Sequence, residues 1–341
     1  KTLKSVAVIG PNADEQKELI CRYGPSNAPI KTVYKGIKEA LPRAKVVYKK
    51  GCEIVDPHFP ESEVLPFDIT PKEQQMMDEA IEAAKSAEVV IMVLGGSEVT
   101  VREERSRTSL DLPGRQEELL KAVCKLGKPT ILVMIDGRAS SINYAKKYVP
   151  AILHAWFPGE FCGQAVAETI FGDNNPGGRL AVTFPKSVGQ IPFAFPFKPG
   201  SDSGCGTSVT GALFPFGHGL SYTTFEYSNL RISPEQQGVL GEVKVSCTVK
   251  NTGKRIGDEV VQLYLRDEIS SVTTYVKILR GFERITLQPN EEKEVTFTLS
   301  PQDLAIWDKN MKFQVEPGTF KVMIGASSKD IKLEGKFTIN K

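Results

Sequence analysis

The chain has 341 residues, 40% of them hydrophobic and 25% charged; that length suits two domains, and that composition is ordinary for a soluble globular protein. The 43 basic and 41 acidic side chains leave a net charge of +2, so no bulk electrostatic attraction to nucleic acid or to a membrane surface is expected. No run approaches the roughly 18 consecutive apolar residues of a membrane span. The six cysteines, Cys21, Cys52, Cys124, Cys162, Cys205 and Cys247, form no Cys-x-x-Cys pair and have no neighbouring histidine, which argues against zinc. Their density is low for a disulfide scaffold, and Cys124 and Cys247 read as buried free thiols.

The chain opens on a predicted strand, with no leader-like stretch ahead of it, as expected of a mature or excised fragment. Val6-Ala-Val-Ile-Gly10 is a short apolar run that ends in a Gly-Pro-Asn turn and reads as a parallel strand. Apolar residues at helical spacing follow over 32–41, then a strand over 45–48 and an irregular loop rich in proline and acid over 53–68. Thr70-Pro-Lys-Glu73 carries a helix start, with threonine as cap, proline at the first helical position and glutamate three residues on. That helix leads into the strand Val89 to Leu94. A helix from Leu112 to Leu126, a strand over 130–135, a strand over 151–156 and a helix over 163–171 complete the alternation. Strands that are near-continuous apolar runs and alternate with helices predict an α/β fold, a mostly parallel sheet flanked by helices.

Composition then changes. Residues 193–219 are dense in Pro, Gly, Phe and Ser, without helical or strand period. Beyond them, runs with period-2 alternation over 243–249, 260–265, 293–299, 318–324 and 332–339 predict an all-β sandwich of immunoglobulin or fibronectin III type. The expected organisation is an α/β domain over 1–200, a linker over 201–222 and a β-sandwich over 223–341. Tyr264, Phe282, Phe297, Phe320 and Trp307 are expected in the sandwich core, leaving no aromatic platform exposed.

Between the strand at 89–94 and the helix after it lies Ser97-Glu-Val-Thr-Val-Arg-Glu-Glu-Arg-Ser-Arg-Thr-Ser-Leu-Asp-Leu-Pro-Gly-Arg115. It is long, crowded with carboxylates and guanidinium groups, and has no apolar period. In an open α/β sheet, segments leaving the carboxyl ends of strands are where ligands are met, and loops of this length are functional or disordered. By composition alone its Arg102, Glu103, Glu104, Arg105 and Arg107 read as a solvated surface network. Elsewhere, the first strand-turn lacks a Gly-x-Gly-x-x-Gly pattern, and Pro11 removes a backbone donor. No serine-hydrolase elbow is present. His58, His154 and His218 have no ligand-type neighbours in sequence.

Several blocks together resemble glycoside hydrolase family 3, the β-glucosidase and β-xylosidase family, in its C-terminal two domains. They are Val6-Ala-Val-Ile-Gly-Pro-Asn-Ala-Asp14, Glu103-x-x-Ser-Arg-Thr-Ser-Leu-Asp-Leu-Pro-Gly114, Asp136-Gly-Arg-x-x-Ser-Ile-Asn143 and Pro150-Ala-Ile-Leu-x-Ala-Trp-Phe-Pro-Gly159. Later ones are Phe171-Gly-Asp-x-Asn-Pro-Gly-Gly-Arg-Leu180, Val182-Thr-Phe-Pro-Lys-Ser-Val-Gly-Gln-Ile-Pro192 and Phe214-Pro-Phe-Gly-His-Gly-Leu-Ser-Tyr-Thr-Thr-Phe225. Val260-Val-Gln-Leu-Tyr-Leu265 and Lys277-x-Leu-x-Gly-Phe282 match the fibronectin III-like tail.

The resemblance implies the C-terminal part of a retaining β-glycosidase, read first as a β-glucosidase that releases terminal non-reducing β-D-glucosyl residues. A β-xylosidase of the same family, or a non-catalytic carbohydrate-binding or scaffolding fragment, is the alternative. In the family an aspartate nucleophile sits on an N-terminal (β/α)8 barrel, and a glutamate acid/base lies on a loop of the α/β sandwich, four residues before an arginine. Carried onto this chain, that glutamate is Glu103, with Glu104 its competitor because a small residue is usual at Glu104's place. Retaining chemistry needs the two carboxyl groups about 5–5.5 Å apart, and the acid must hold its proton. Arg102, Arg105 and Arg107 are therefore expected to face the protein or the substrate rather than Glu103, and the loop, without the barrel to pack against, to be exposed or poorly ordered. No cofactor and no metal is implied. The expected partners are a β-linked oligosaccharide or glycoside and the barrel of the same polypeptide. Without that barrel the chain is expected to be inactive, and the resemblance implies a periplasmic or secreted location.

Overall fold

A computed structural model describes residues 2–17, 24, 27–201 and 208–341; Cys21 and Cys205 lie outside them. The chain divides into two compact units, 1–174 with 185–188, and 175–184 with 189–341.

In the first unit the elements are β1 (Ser5–Ile9), α1 (Val33–Ala40), β2 (Lys45–Lys49), α2 (Pro71–Ser86), β3 (Val89–Gly95), α3 (Gln116–Cys124), β4 (Thr130–Ile135), α4 (Asn143–Tyr148), β5 (Ala151–His154) and α5 (Cys162–Phe171). The five strands form one parallel sheet in the order β2-β1-β3-β4-β5. All their carboxyl ends therefore emerge along one edge. Helix α2 starts as its sequence demands: Thr70 Oγ1 accepts from the Glu73 backbone, the Glu73 carboxylate reaches back to the Thr70 N–H, and Pro71 stands at the first turn. Helix α3 starts at Gln116 rather than near Leu112, because the intervening Leu-Pro-Gly-Arg contains Gly114 at φ +57°, which helical backbone does not allow. The six-residue α4 escaped the sequence reading for want of apolar period.

One face of the sheet is covered by α1 and α5, and the core there includes Val8, Val33, Ile37, Ile91, Val133 and Val166. These two helices approach through glycines. A Cβ on Gly36 would lie 2.0 Å from the Gly163 carbonyl oxygen, and one on Gly163 would lie 2.0 Å from that of Thr32. Cys52, Cys162 and Cys247 are buried and free, whereas Cys124 is only partly buried. Among the described residues no helix is long and apolar enough to cross a membrane.

The second unit is built on strands β6 (Phe225–Ser233), β7 (Gln236–Gly238), β8 (Val243–Asn251), β9 (Gly257–Asp267), β10 (Ile278–Leu287), β11 (Glu292–Leu299), β12 (Ile306–Trp307), β13 (Phe313–Gln314), β14 (Gly318–Gly325) and β15 (Ile331–Asn340), with the short helix α6 (Pro301–Leu304) after β11. A sheet in the order β10-β9-β14-β15-β7 packs on one in the order β11-β8-β6. Inward residues such as Val245, Val261, Leu263, Ile285, Phe320 and Phe337 fill the space between them. The segments ahead of β6 are bound to this sandwich. Asn175 donates to the Ile256 carbonyl (3.0 Å) and accepts from the Tyr222 N–H (2.7 Å). Arg179 pairs with Glu259 at 2.9 Å, with side chains only 8% and 5% exposed. The Gln262 amide donates to Gly217 and Ala326 carbonyls.

Strands β6 and β10 were missed because bulges break their alternation. The β6–β8 register shifts between Ser228 and Arg231, with Asn229 at φ +53°, and the β10–β9 register shifts at Gly281. Two aromatic placements are corrected as well. Phe282 has the parity of outward Arg284 and Thr286, opposite to buried Ile285 and Leu287, and is 68% exposed. Trp307 pairs across the small β12–β13 hairpin with Phe313, rings 5.4 Å apart, and is 59% exposed. Tyr264 and Phe320 are buried, and Phe297 packs partly buried against the core.

Two predictions follow from this packing and burial. Gly36→Ala should lower the stability of the chain by about 1–3 kcal/mol in chemical denaturation, despite the roughly 1 kcal/mol that alanine gains over glycine in a helix. Gly178→Ala, with nothing within 4 Å of the added Cβ, is the control. In the second unit, burial raises the Asp267 carboxyl to about 6, the Ile269 N–H opposes this, and the Glu316 charge adds to it. A carboxyl raised on folding stabilises below its unfolded value and loses that contribution as pH rises through about 6. Asp267→Asn should therefore melt above the parent at pH 7–8, by a few degrees, and the gap should close towards pH 4.

Candidate active site

Five loops leave the carboxyl edge of the parallel sheet, one after each strand, and they bond to one another's polar groups. Asn12, fully buried, donates from Nδ2 to the Gly96 carbonyl at 2.9 Å. Gln116, also fully buried, accepts from the Gly95 N–H (2.8 Å) and donates to the Gly95 and Ile54 carbonyls (2.8 and 3.1 Å). These amides close the end of β3, the central strand of the sheet. The next residues wind into a turn: Thr100 and Val101 N–H groups donate to the Ser97 carbonyl, and the Ser97 N–H donates to Thr100 Oγ1.

The candidate carboxylates come next. Arg105 N–H donates to the Arg102 carbonyl at 3.3 Å, closing a four-residue turn with Glu103 and Glu104 at its two central positions. Both glutamates are exposed. Glu104 has φ +62°, the left-handed backbone that turns with a positive φ at their third residue ask for and that glycine adopts without cost.

Arg107 turns away from these carboxylates and into the domain. Its Nε pairs with Glu63, and Nη1 donates to the Asp111 carbonyl at 3.0 Å. The Arg107 and Glu63 side chains are 6% and 8% exposed. The second Glu63 oxygen accepts from the Thr108 N–H at 2.9 Å. The acid-rich 53–68 loop thus clasps the limb that returns from the candidate carboxylates. Further on, Arg115 is tied to the Phe67 carbonyl (2.6 Å), Glu118 (3.1 Å) and Glu73 (3.5 Å). Arg105 is exposed and Arg102 half-buried.

The loop after β4 supports the opposite side. Asp136, 2% exposed, accepts from Ser140 Oγ (2.6 Å) and the Arg138 N–H (3.2 Å). Burial pushes its carboxyl up, while those two bonds and the Arg107 charge pull it down. Arg138 reaches across to the carbonyls of Thr100 (3.1 Å) and Arg105 (2.5 Å), and the Ser141 N–H donates to Leu110 (2.8 Å). At the end of β5, burial holds the His154 imidazole down to about 4, opposed in small part by the Arg138 backbone, so it is neutral at pH 7. Its ring lies 4.4 Å from that of Trp156, which has φ +55°.

Sequence reading found the loop and the two glutamates, and noted Asp136-Gly-Arg only as a matching block. It missed Glu63 and Gln116 as supports, because their partners lie far away in sequence. A groove of about 920 Å³ in this unit runs between β1, β2 and α2 and is lined by residues such as Val47, Gln74 and Glu79; it includes no residue of the loop, so volume alone does not locate the chemistry.

Comparison with known proteins finds two family domains along the chain. Residues 1–222 match the glycosyl hydrolase family 3 C-terminal domain, and residues 259–328 match the fibronectin type III-like domain. A β-xylosidase of Formosa agariphila is 44% identical over 96% of the chain and 45% of its own length. A periplasmic β-glucosidase of Salmonella typhimurium is 39% identical over 98% of the chain and 46% of its own. Among solved structures, a β-glucosidase of Erythrobacter marinus superposes with a TM-score of 0.90 at 34% identity, over 99% of this chain and 47% of that one. The chain thus spans just under half the length of the relatives it matches, and its described residues hold no barrel. With its parallel sheet, its fibronectin-like sandwich and these matches, the chain belongs to glycoside hydrolase family 3, as the C-terminal portion that lacks the N-terminal barrel.

Proposed function

We propose that this chain supplies the general acid/base, Glu103, of a retaining β-glycosidase that removes terminal non-reducing β-D-glucosyl residues. The observation that carries the reading is the turn at Arg102–Arg105, which holds Glu103 out at the carboxyl edge of the sheet while Arg107 is drawn into its pair with Glu63. Glu104 is the weaker candidate on backbone grounds. Its φ of +62° is the conformation that glycine fills best, which accounts for a small residue being usual at that place. Of the two exposed central residues of the turn, Glu103 alone has no positive φ, and it is the one this reading takes as the acid.

A carboxyl on a solvated loop does not complete the reaction. The nucleophile, and the dry surroundings in which an acid gives its proton to a leaving oxygen, come with the barrel of the same polypeptide. The chain by itself is accordingly inactive, and its substrate partner is a β-linked oligosaccharide or glycoside. The name of the Salmonella relative supports export to the periplasm or the medium. A second reading, removal of β-D-xylosyl units, is favoured by the 44% identity to the Formosa β-xylosidase.

In the barrel-bearing polypeptide that contains this chain, Glu103→Gln should lower kcat/KM on cellobiose by about 10²–10⁴-fold. It should spare the glycosylation step for a dinitrophenyl glycoside, whose leaving group needs no proton. Glu104→Gly should keep full activity and gain up to about 1 kcal/mol in stability. Equal activity of the parent and Glu103→Gln on both substrates would sink the assignment, as would a selective loss in Glu104→Gly. The ratio of kcat/KM on nitrophenyl β-glucoside and β-xyloside decides between the two sugars.

A further inference from the structure

The loop that bears Glu103 has no helix, no strand and no apolar stripe to hold it, yet fixing each backbone residue costs about 1–2 kcal/mol. A misplacement of about 1 Å at a reacting group can cost roughly 10²-fold in rate. The support must therefore come from a neighbouring element, and the candidates differ in where they grip. Glu63 holds Arg107 and Thr108, beyond the turn on one side only. Ser141 holds Leu110, further along the same limb. Arg138 alone of these takes both shoulders: its Nε donates to the carbonyl of Thr100, before the turn, and its Nη2 to that of Arg105, which closes it.

We infer that Arg138 is the positioning residue of the acid/base, its guanidinium bridging the Thr100 and Arg105 carbonyls so that the 101–104 segment is held as a fixed hoop; this rests on the reading of Glu103 as the acid. The planar fork of arginine suits the task, since it offers several donors in fixed directions where lysine offers a mobile point charge. Arg138 forms no ion pair among the described residues, so its donors are not divided between the hoop and a carboxylate. Its own backbone is held as well. The Arg138 N–H donates to Asp136 Oδ1, whose partner oxygen is fixed by Ser140. Close packing reinforces the placement: a Cβ on neighbouring Gly137 would fall 2.5 Å from Val101 of the hoop and 2.7 Å from Phe157. The hoop is thereby referred to the ends of β4 and β5 rather than to its own sequence neighbours.

Two measurements test this, and the first needs no activity. In the 341-residue chain, Arg138→Ala or Arg138→Lys should raise amide hydrogen exchange over residues 101–106 by tenfold or more, with exchange in β3 and β4 unchanged. Unchanged protection of 101–106 in both variants overturns the inference, whichever glutamate is the acid. The second uses the barrel-bearing polypeptide. Arg138→Lys should lower kcat/KM on cellobiose at least tenfold, and leave kcat/KM on the dinitrophenyl glycoside, which reports the glycosylation step alone, within twofold. Gly36→Ala, which perturbs a helix contact remote from the hoop, should lower stability without altering the ratio between the two substrates. An equal loss on both substrates, or a shift of the ratio in Gly36→Ala, overturns the positioning role. If Glu103→Gln itself leaves the ratio unchanged, the identity of the acid is what fails, and hydrogen exchange still reports on the hoop.

Discussion

An all-parallel sheet sends every strand's carboxyl end to the same edge, and that constraint governs the first unit. The loops there cannot pair by strand hydrogen bonding, and buried backbone groups left without partners are costly. The solution is a set of side chains that act as substitutes for ladder bonds: Asn12 to Gly96, Gln116 to Gly95, and Arg138 to Thr100 and Arg105. Asn12 and Arg138 belong to different loops from the carbonyls they meet, while Gln116 opens the helix that follows β3. The edge is therefore a mutually determined surface, in which the conformation after β3 depends on residues after β1, β4 and β5.

The second unit solves a different problem. Two antiparallel sheets bury Val261, Leu263, Phe320 and their neighbours, but strands of this kind need their edges and ends closed. The segments over 175–184 and 211–222 do part of that work. Arg179 brings its charge to Glu259, both nearly dry, and the Gln262 amide ties Gly217 to Ala326. Blocks rich in Gly and Pro that have no period of their own acquire their structure by lying on the sandwich. Replacing one member of the Arg179–Glu259 pair would leave a buried charge without compensation, which is far costlier than losing a surface ion pair.

How much of this could be read from the chain depended on whether the information was local. Parallel strands such as Val89–Gly95 and the capping box at Thr70 are written in consecutive residues, and they were legible. The five-stranded order was not, because nothing within Val6–Ile9 says which strands flank it. Strands β6 and β10 were lost to bulges at Ser228–Arg231 and Gly281 that cancel the period, and the Gly281 bulge sits beside Phe282, which faces solvent. Trp307 went wrong for another reason: a two-residue strand has too little sequence to set a face. In the candidate site, Glu103 and Glu104 stood out through the block around them, but nothing local distinguished them. The positive φ of Glu104 is a property of the folded turn alone. Glu63 and Arg138 were silent because their partners lie 44 and 33 residues away.

The clasp of Arg107 by Glu63 has a consequence for assembly. Ordering a rotamer-rich side chain at an interface costs about 0.5–1.5 kcal/mol, and the nineteen-residue irregular stretch over 97–115 could multiply that many times over. Here the returning limb is fastened within its own domain, with both charged groups already withdrawn from water. On the proposed function, a barrel docking against this edge would meet a surface whose shape is set beforehand, so its contact energy would go into affinity and alignment rather than into freezing a disordered segment. On the proposed reading of Glu103, this edge behaves as a preformed lid, cast before the vessel it closes.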